Sequence, residues 1–203
     1  MRLAIDLCSG RGGLSKAFVG ASWSVLTVDN DPQFNPTICA DVRQLTLDDI
    51  CATLGSESLR PAYEKIVMVM SPPCQRFSIA NYRWPKKGIR EALEIVGACL
   101  ELVADIQPDY WLMENPRGRM RWFVPARPLA TIRLKGLGYR TAKPTDLWGN
   151  IPFSLLPDSP RQRGHNLHPS GKGTLFDKVR DPARRAEMPL GLSKAILEAT
   201  GGA

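Results

Sequence analysis

Short apolar runs alternate with segments of helical period along the first half of the chain. The runs have the length of strands buried on both faces, and they lie at 3–8, 23–28, 37–40, 66–70 and 110–113. Helices are predicted between them, one ending near Val19, one over 46–54 and one over 87–106. This alternation predicts an α/β fold with a doubly wound, mostly parallel sheet. In such sheets, ligands bind beyond the carboxyl ends of the strands.

The segment 87–106 carries the clearest helical period. Its apolar residues form one stripe that is expected to face the core: Ile89, Leu93, Val96, Leu100 and Val103. After about residue 124 the pattern predicts, in order, a helix over 130–137, a strand over 139–142, an irregular loop over 149–173 and a final helix over 190–199. Because the sequence shows no internal repeat and no long linker, we expect one domain over 1–203.

The composition favours an intracellular protein with a polyanionic partner. The chain has 203 residues, and its net charge of +7 is typical of proteins that bind nucleic acid. Its five cysteines are odd in number and lack C-x-x-C spacing, which predicts reduced thiols in the cytoplasm. Neither a leader nor a membrane span is expected from the apolar runs. His165 and His168 lack the cysteine or acidic partners of a metal site, so no metal is expected.

Three turns at predicted strand ends favour an adenosine-bearing cofactor. Gly10, Gly12 and Gly13 lie between a strand and a helix, where a glycine-rich backbone can approach a ligand closely. Asp29 ends the second strand, nineteen residues after Gly10, where a carboxylate can bind ribose hydroxyls. Asp41 closes the third strand and could accept a hydrogen bond from an adenine amino group. Either acid could equally be an ordinary surface residue of a turn.

A cysteine on a proline-stiffened turn carries the predicted chemistry. Pro72 and Pro73 come soon after the fourth strand and restrict the direction in which Cys74 is presented. A thiolate can add to carbon 6 of a cytosine ring and so make carbon 5 nucleophilic. Glu114, after the fifth strand, could protonate or hydrogen-bond ring nitrogen 3, and Asn115 could orient Glu114 or bind the base. A carboxyl group in this role requires a pKa raised by burial.

Three motifs resemble those of the DNA cytosine-5 methyltransferases. Residues 6–15 resemble the first motif of that family, with Cys8 where phenylalanine is common. Residues 71–78, Ser-Pro-Pro-Cys-Gln-x-Phe-Ser, are similar to the nucleophile motif. Residues 114–116, Glu-Asn-Pro, are similar to the Glu-Asn-Val motif. The order and spacing agree over about residues 1–120, and the resemblance implies the Rossmann-like fold of class I S-adenosylmethionine-dependent methyltransferases.

The resemblance implies methylation of carbon 5 of cytosine in DNA, with S-adenosylmethionine as cofactor and a covalent adduct on Cys74. The cofactor contacts expected from the matched motifs are Asp6, Leu7, Cys8, Ser9, Gly10, Gly12, Gly13, Leu14, Asp29, Asn30, Asp41, Val42 and Pro72. Cys74, Glu114 and Asn115 are the expected catalytic residues. The family's Gln-x-Arg-x-Arg segment, whose arginine touches the base carbonyl, has no match, and Arg140 or Lys143 is the expected substitute.

Recognition of the target departs furthest from the family pattern. Family members usually carry a target-recognition domain, whereas about forty residues separate Trp148 from Pro189, with the loop 149–173 in its place. This resembles short phage- or prophage-borne members and predicts low sequence specificity. The sequence leaves open whether the chain acts with a separate recognition subunit or as a homo-oligomer. Residues 184–190 loosely match the last motif, which completes the cofactor pocket.

Basic residues around the motifs are the expected contacts to nucleic acid. The first set is Gln75, Arg76, Ser78, Arg83, Lys86, Arg117 and Arg163. Further candidates for phosphate contacts and base stacking are Lys87, Arg119, Arg121, Arg161, Trp84 and Trp122.

Three alternatives stay open from the sequence. The same fold could methylate cytosine in RNA or in a free nucleotide. Ser71-Pro72-Pro73 is also similar to a motif of the amino-methyltransferases, which have an aromatic residue in place of Cys74. A catalytically silent nucleic-acid-binding scaffold is the third, and the intact pair of Cys74 and Glu114 argues against it.

Overall fold

Seven strands form one mixed sheet in the computed structural model, which describes residues 1–78, 88–140, 143–152 and 187–201. The strands are β1 (Arg2–Leu7), β2 (Ser24–Asp29), β3 (Ile38–Cys39), β4 (Lys65–Met70), β5 (Tyr110–Pro116), β6 (Ala130–Arg133) and β7 (Pro144–Gly149). The α-helices are α1 (Lys16–Gly20), α2 (Leu47–Thr53), α3 (Leu59–Ala62), α4 (Ile89–Ile106) and α5 (Leu190–Ala199). Short 3-10 helices occur at Pro32–Phe34, Val42–Gln44, Arg119–Trp122 and Leu134–Leu137. None of these helices is long and apolar enough to cross a bilayer.

The strand order is β3-β2-β1-β4-β5-β7-β6, and among these strands only β7 runs in the direction opposite to the others. The predicted doubly wound, mostly parallel α/β sheet is therefore confirmed. The chain leaves β1 toward one edge of the sheet and crosses to β4 on the other side of β1, so the direction of winding reverses between these two strands. A crevice is expected at their carboxyl ends.

Both faces of the sheet are covered, which explains why the central strands have almost no polar positions. Leu3, Ile5 and Leu7 of β1 pack into a cluster with α2 and α4, while Ala4 packs into a second cluster with α1 and α5. The helical stripe predicted on α4 is displaced around the helix. Its most buried residues are Ala92, Val96, Cys99, Leu102 and Ile106, whereas the other residues of the predicted stripe are half-buried at its border.

Two elements predicted for the second half of the chain are wrong. Residues 130–137 form β6 and a 3-10 helix instead of one helix, because Thr131 and Ile132 pair along β7. The strand expected over 139–142 lies at Pro144–Gly149 instead. A short apolar run fits a strand or a helix equally well, and here the pairing with β7 makes residues 130–133 a strand. Most of the loop predicted over 149–173 lies outside the described residues, so that loop and the domain limits stay predictions.

Candidate functional site

A cleft of about 590 Å³ lies at the carboxyl ends of the central strands, a volume typical of pockets for small ligands. It brings together residues from every motif that the sequence suggested. The predicted site residues that line it are Cys8, Ser9, Gly10, Gly13, Leu14, Asp29, Asn30, Asp41, Val42, Pro72, Cys74, Gln75, Glu114 and Lys143. Candidate cofactor contacts and candidate catalytic groups therefore share one cavity.

Asp29 fixes the glycine turn at one end of the cleft. Its Oδ2 accepts a hydrogen bond from the Gly10 amide at 2.7 Å, and its Oδ1 accepts one from the Asp31 amide at 2.9 Å. Gly10 has a φ of +49°, and no heavy atom lies within 4 Å of the position that a Cβ would take. The turn therefore leaves room for a ligand. Because each carboxylate oxygen has a second lone pair, Asp29 can hold the turn and also accept from a ligand hydroxyl.

Gly13, unlike Gly10, has another segment of the chain packed closely against it. A Cβ at this position would lie 2.8 Å from the Met188 backbone nitrogen. The missing side chain lets Glu187 and Met188, which precede α5, reach the lining of the cleft. Ser193 of α5 donates its hydroxyl to the Leu14 carbonyl at 2.6 Å and so holds the helix against the turn. The described part of 184–190 thus lies where the last motif of the family was expected; residues 184–186 lie outside the described residues.

Three predicted cofactor contacts do not line this cleft. Asp6 is buried, its Oδ2 accepts from the Ser15 hydroxyl at 2.6 Å, and burial raises its pKa to about 7. Leu7 is fully buried in the core. Gly12 lines an adjacent recess that shares Ser9 and Gly10 with the cleft. Because Ser15 is the N-cap residue of α1, Asp6 positions the start of that helix.

The cysteines other than Cys74 differ in their exposure. Cys51 and Cys99 are buried, whereas Cys39 is exposed on the edge strand β3. Cys8 lines the cleft and hydrogen-bonds to Cys99 of α4. That hydrogen bond, together with burial, raises the pKa of Cys8 well above its usual range. Cys8 is therefore a poor nucleophile at neutral pH.

The loop after β4 presents the half-buried Cys74 to the cleft on a fixed backbone. The Cys74 carbonyl accepts hydrogen bonds from the amides of Phe77 at 3.0 Å and Ser78 at 2.9 Å. Phe77 is fully buried and anchors the turn. Asn115 donates its side-chain amide to the Pro72 carbonyl at 3.0 Å, so it holds the nucleophile loop against β5. This is the orienting geometry that a nucleophile needs.

The sequence predicts Glu114 after the fifth strand, but in the structure this residue lies inside β5. The pairing of β4 with β5 ends at Met70 and Met113, whereas β7 continues beside β5 and pairs Leu147 with Glu114. The Glu114 carboxyl group therefore reaches the cleft beyond the end of β4, while its backbone remains in the sheet. Its side chain is buried, and Oε1 has no hydrogen-bond partner among the described residues.

The protonation of Glu114 is set by two opposing effects. Burial raises the pKa of this carboxyl group. The positive charge of Lys143 and a hydrogen bond from Ser71 act in the opposite direction, and the pKa remains above its ordinary value. A carboxyl group whose pKa is raised in this way is better suited to donate a proton to a ring nitrogen.

Lys143, and not Arg140, lies in the cleft. Lys143 lines the cavity with Glu114, whereas Arg140 is exposed and absent from the lining. The Lys143 carbonyl accepts a hydrogen bond from the Thr145 hydroxyl at 3.1 Å, which holds the residue at the start of β7. The geometry thus favours one of the two alternatives that the sequence left open.

The residues expected to contact nucleic acid divide into four groups. Gln75 lines the cleft, and Arg117 is exposed directly after the end of β5. Arg76 is half-buried, with its guanidinium group packed against Gly88. The Ser78 carbonyl accepts a hydrogen bond from the guanidinium group of Arg119 at 2.7 Å. Outside the described residues lie Arg83, Trp84, Lys86, Lys87, Arg161 and Arg163.

Several lining residues were not found from the sequence. Asp31 accepts a hydrogen bond from the Gln33 amide at 3.0 Å and so caps the 3-10 helix that brings Phe34 to the cleft. The Asp-Pro pair that begins this helix is a turn signal and could have indicated these residues. Ile95 of α4 also lines the cleft, but its place depends on how the helix packs. In the described part of the chain, no cluster of histidine, cysteine and acidic residues could hold a metal ion.

Proteins similar to this chain include three Type II methyltransferases. Type II methyltransferase M.AquIA of Picosynechococcus is 30% identical over 58% of this chain and 50% of its own length. Type II methyltransferase M.HgiGI of Herpetosiphon aurantiacus is 30% identical over 55% of this chain and 87% of its own length. The chain spans 28% of the length of a third relative, M.XorII of Xanthomonas oryzae, so it matches half or less of two of these three proteins.

The fold is shared with a solved structure, and the first part of the chain fits a family model. The structure is of a prophage-encoded E. coli protein assigned as a DNA modification methyltransferase; it aligns with a TM-score of 0.55 at 21% identity, over 76% of this chain and 48% of that one. Residues 3–122 match the model of the C-5 cytosine-specific DNA methylases, which is more than half of the chain. On this match, and on the motif residues gathered in one cleft, the chain belongs to the C-5 cytosine-specific DNA methylase family.

Proposed function

We propose that this chain methylates carbon 5 of cytosine in DNA through a covalent adduct on Cys74. The observation that carries the proposal is the shared cleft, which Cys74, the buried Glu114 and the glycine turn at Gly10 all line. S-adenosylmethionine is the methyl donor of this family and supplies the methyl group when it is bound.

The residues at the glycine-turn end of the cleft suit an adenosine-bearing cofactor. Gly10 leaves open space, and Asp29 offers free lone pairs to ribose hydroxyls. Asp41 is hydrogen-bonded to Arg43, which lowers the pKa of its carboxyl group and keeps it ionised as an acceptor for an amino group. Phe34 adds an apolar wall against which a base can pack. This donor and acceptor set fits S-adenosylmethionine.

The other end of the cleft suits attack on the pyrimidine ring. The Cys74 thiolate adds to carbon 6, and the electron pair displaced from the double bond makes carbon 5 nucleophilic. In its protonated form, the Glu114 carboxyl group hydrogen-bonds or protonates ring nitrogen 3, which lowers the barrier to this addition. Lys143 lies where its charge can stabilise the negative charge that develops on the base carbonyl. After methylation, loss of the carbon 5 proton expels the thiolate and restores the ring.

A fluorinated substrate tests the covalent step. Fluorine at carbon 5 cannot leave as a proton does, so the adduct persists after methyl transfer. We expect a denaturation-resistant complex between the protein and a 5-fluorocytosine oligodeoxynucleotide when S-adenosylmethionine is present. Cys74→Ala should abolish the complex, whereas Cys39→Ala, which removes an exposed thiol elsewhere, should leave it unchanged. An adduct that survives Cys74→Ala would contradict the assignment.

The choice of DNA as substrate needs its own comparison. Labelled methyl transfer to an oligodeoxynucleotide, an RNA of the same sequence and free dCMP should show the highest rate on the oligodeoxynucleotide. A faster reaction on RNA or on the nucleotide would replace DNA in the proposal while leaving the Cys74 chemistry intact.

We also propose that the chain reads little of the sequence around its target. About forty residues lie between Trp148 and Pro189, too few for a separate recognition domain of the size usual in the family. Bisulfite sequencing of DNA methylated by the purified protein should show modified cytosines in many contexts. A short strict consensus at every modified site would contradict this. A consensus found only in cells would indicate a separate recognition subunit.

A further inference from the structure

The segment between Glu114 and Asp146 has an unusual charge pattern. It contains six arginines and two lysines and no acidic residue. Asp146 itself is fully buried and paired with Arg121, so it does not offset the remaining positive charge at the surface. Within this segment Trp122 is 69% exposed, and Phe123 is 36% exposed. Exposed large aromatic side chains often mark a binding surface, and here they lie in a segment rich in cations.

The exposure of Trp122 is not the result of a loose loop. The preceding Met120 is fully buried in the core, and the following Val124 donates its amide to the Met120 carbonyl at 3.0 Å. Farther along, the Trp148 indole donates to the Ala126 carbonyl at 3.1 Å. Both ends of the short 3-10 helix are therefore fixed, and Trp122 is held outward on a supported backbone.

Arg121 acts as the main clamp beneath this helix. Its guanidinium group forms two hydrogen bonds with the Asp146 carboxylate, one of them from Nε at 2.5 Å, and a third with Thr131 at 2.6 Å. Thr131 in turn donates to Asp146 at 2.7 Å. The hydrogen bond to Asp146 raises the pKa of Arg121. Arg121 is thus a structural residue, and the expectation that it contacts phosphate is replaced by this role.

The exposed aromatic pair lies beside the nucleophile loop. The Phe123 and Phe77 rings are 6.4 Å apart between centroids, and the Phe77 amide donates to the Cys74 carbonyl. The same loop is joined to the start of the segment by an antiparallel bridge between Ser78 and Gly118. A Cβ at Gly118 would lie 2.4 Å from the Phe77 carbonyl oxygen, so close approach of the two loops requires this glycine.

We propose that Trp122 stacks on an unpaired base of the substrate DNA near the target cytosine, with the exposed Arg117 and Arg127 contacting its phosphates. The inference rests on the proposed function and names the contact that partly replaces a recognition domain. Stacking tolerates any base, because every base has an aromatic face, so this contact adds affinity without adding specificity. A cationic segment that contains no acidic residue fits a polyanion better than a protein partner of mixed charge.

Two labelled ligands separate stacking from charge. Fluorescence anisotropy would measure binding of the full chain to a single-stranded 16-mer of thymidine and to an abasic oligonucleotide of equal length. Trp122→Ala should weaken binding to the thymidine strand by about tenfold and leave binding to the abasic strand unchanged. Trp122→Phe should restore most of the loss. The control Val19→Ala removes another exposed apolar side chain, on α1, and should change neither value.

The outcomes distinguish this inference from the proposed function. If the 5-fluorocytosine adduct forms but Trp122→Ala binds both strands as tightly as the wild type, the stacking site is wrong and the methylation proposal stands. An equal loss on both strands would also overturn stacking. If sedimentation shows a dimer that Trp122→Ala converts to a monomer, the patch contacts a second copy and not DNA. If no adduct forms while the thymidine strand still shows the Trp122 effect, the methylation proposal fails and the stacking site stands.

Discussion

Asp6→Asn should change how the stability of the fold depends on pH. Asp6 is 1% exposed, and burial raises its pKa from 3.8 to about 7. The folded chain therefore keeps this proton at pH values where the unfolded chain has released it. Because the pKa is higher in the folded state, the stabilising contribution of the group is complete below pH 3.8. It is lost as the pH rises through about 7.

The size of the effect follows from the two pKa values. A difference of about three pH units corresponds to roughly 4 kcal/mol in the free energy of unfolding between acid pH and pH 8. Of this, about 2.5 kcal/mol is lost between pH 5 and pH 8. Asparagine has the same shape, keeps an oxygen that can accept from the Ser15 hydroxyl, and cannot ionise. The variant should therefore lack this part of the pH dependence.

Urea unfolding at several pH values between 5 and 8 measures the difference. The free energy of unfolding of Asp6→Asn, minus that of the wild type, should rise by about 2.5 kcal/mol across this range. Subtracting the wild type removes the titration of all other groups. Asp105→Asn, at an exposed position near the end of α4, controls for the loss of one negative charge. Parallel curves for Asp6→Asn and the wild type would refute the buried, proton-holding role of Asp6.

Three further predictions concern the cleft. Glu114→Gln should slow single-turnover methylation by about 10²- to 10⁴-fold. The rate of the wild type should fall as the pH rises above the raised pKa of Glu114, and a flat pH profile of the wild type would contradict this. Lys143→Met should move that fall to higher pH, because the charge that lowers the pKa of Glu114 is removed; an unchanged midpoint would exclude the coupling. Gly13→Ala should lower stability by about 1–3 kcal/mol in thermal unfolding through its clash with Met188. Gly10→Ala meets no neighbouring atom but keeps a φ of +49°, so it should lower stability by about 1–2 kcal/mol through backbone strain and should also weaken binding of S-adenosylmethionine in calorimetry; unchanged binding by Gly10→Ala would contradict its role.

The first half of the fold could be predicted because its strands are buried on both faces. The run at 66–70 is apolar throughout, and the structure places β4 at Lys65–Met70, in the middle of the sheet. The final helix over 190–199 was also predicted within its observed limits. In both cases the apolar pattern follows directly from how the element packs, so local sequence carried enough information.

The second half was harder because its elements depend on long-range pairing. Residues 130–133 become a strand through contact with β7, which lies more than ten residues later in the chain. The roles of individual motif residues were equally hidden. Gly10 and Gly13 are three residues apart and look equivalent, yet one faces open space and the other packs against Met188 from the opposite end of the chain. Asp6 belongs to the cofactor motif but positions a helix.

The place of Glu114 shows why the antiparallel strand matters for function. A residue that carries a carboxyl group at the end of a parallel strand normally comes after the last residue paired with a neighbouring strand, where the backbone is free to move. Here β7 runs back along β5 and pairs with it through Pro116, so the backbone of Glu114 is held beyond the point where β4 ends. The same strand begins next to Lys143, whose charge acts on Glu114, and contains Asp146, which clamps Arg121 beneath Trp122. One strand therefore fixes the acid, tunes its pKa and supports the proposed DNA contact.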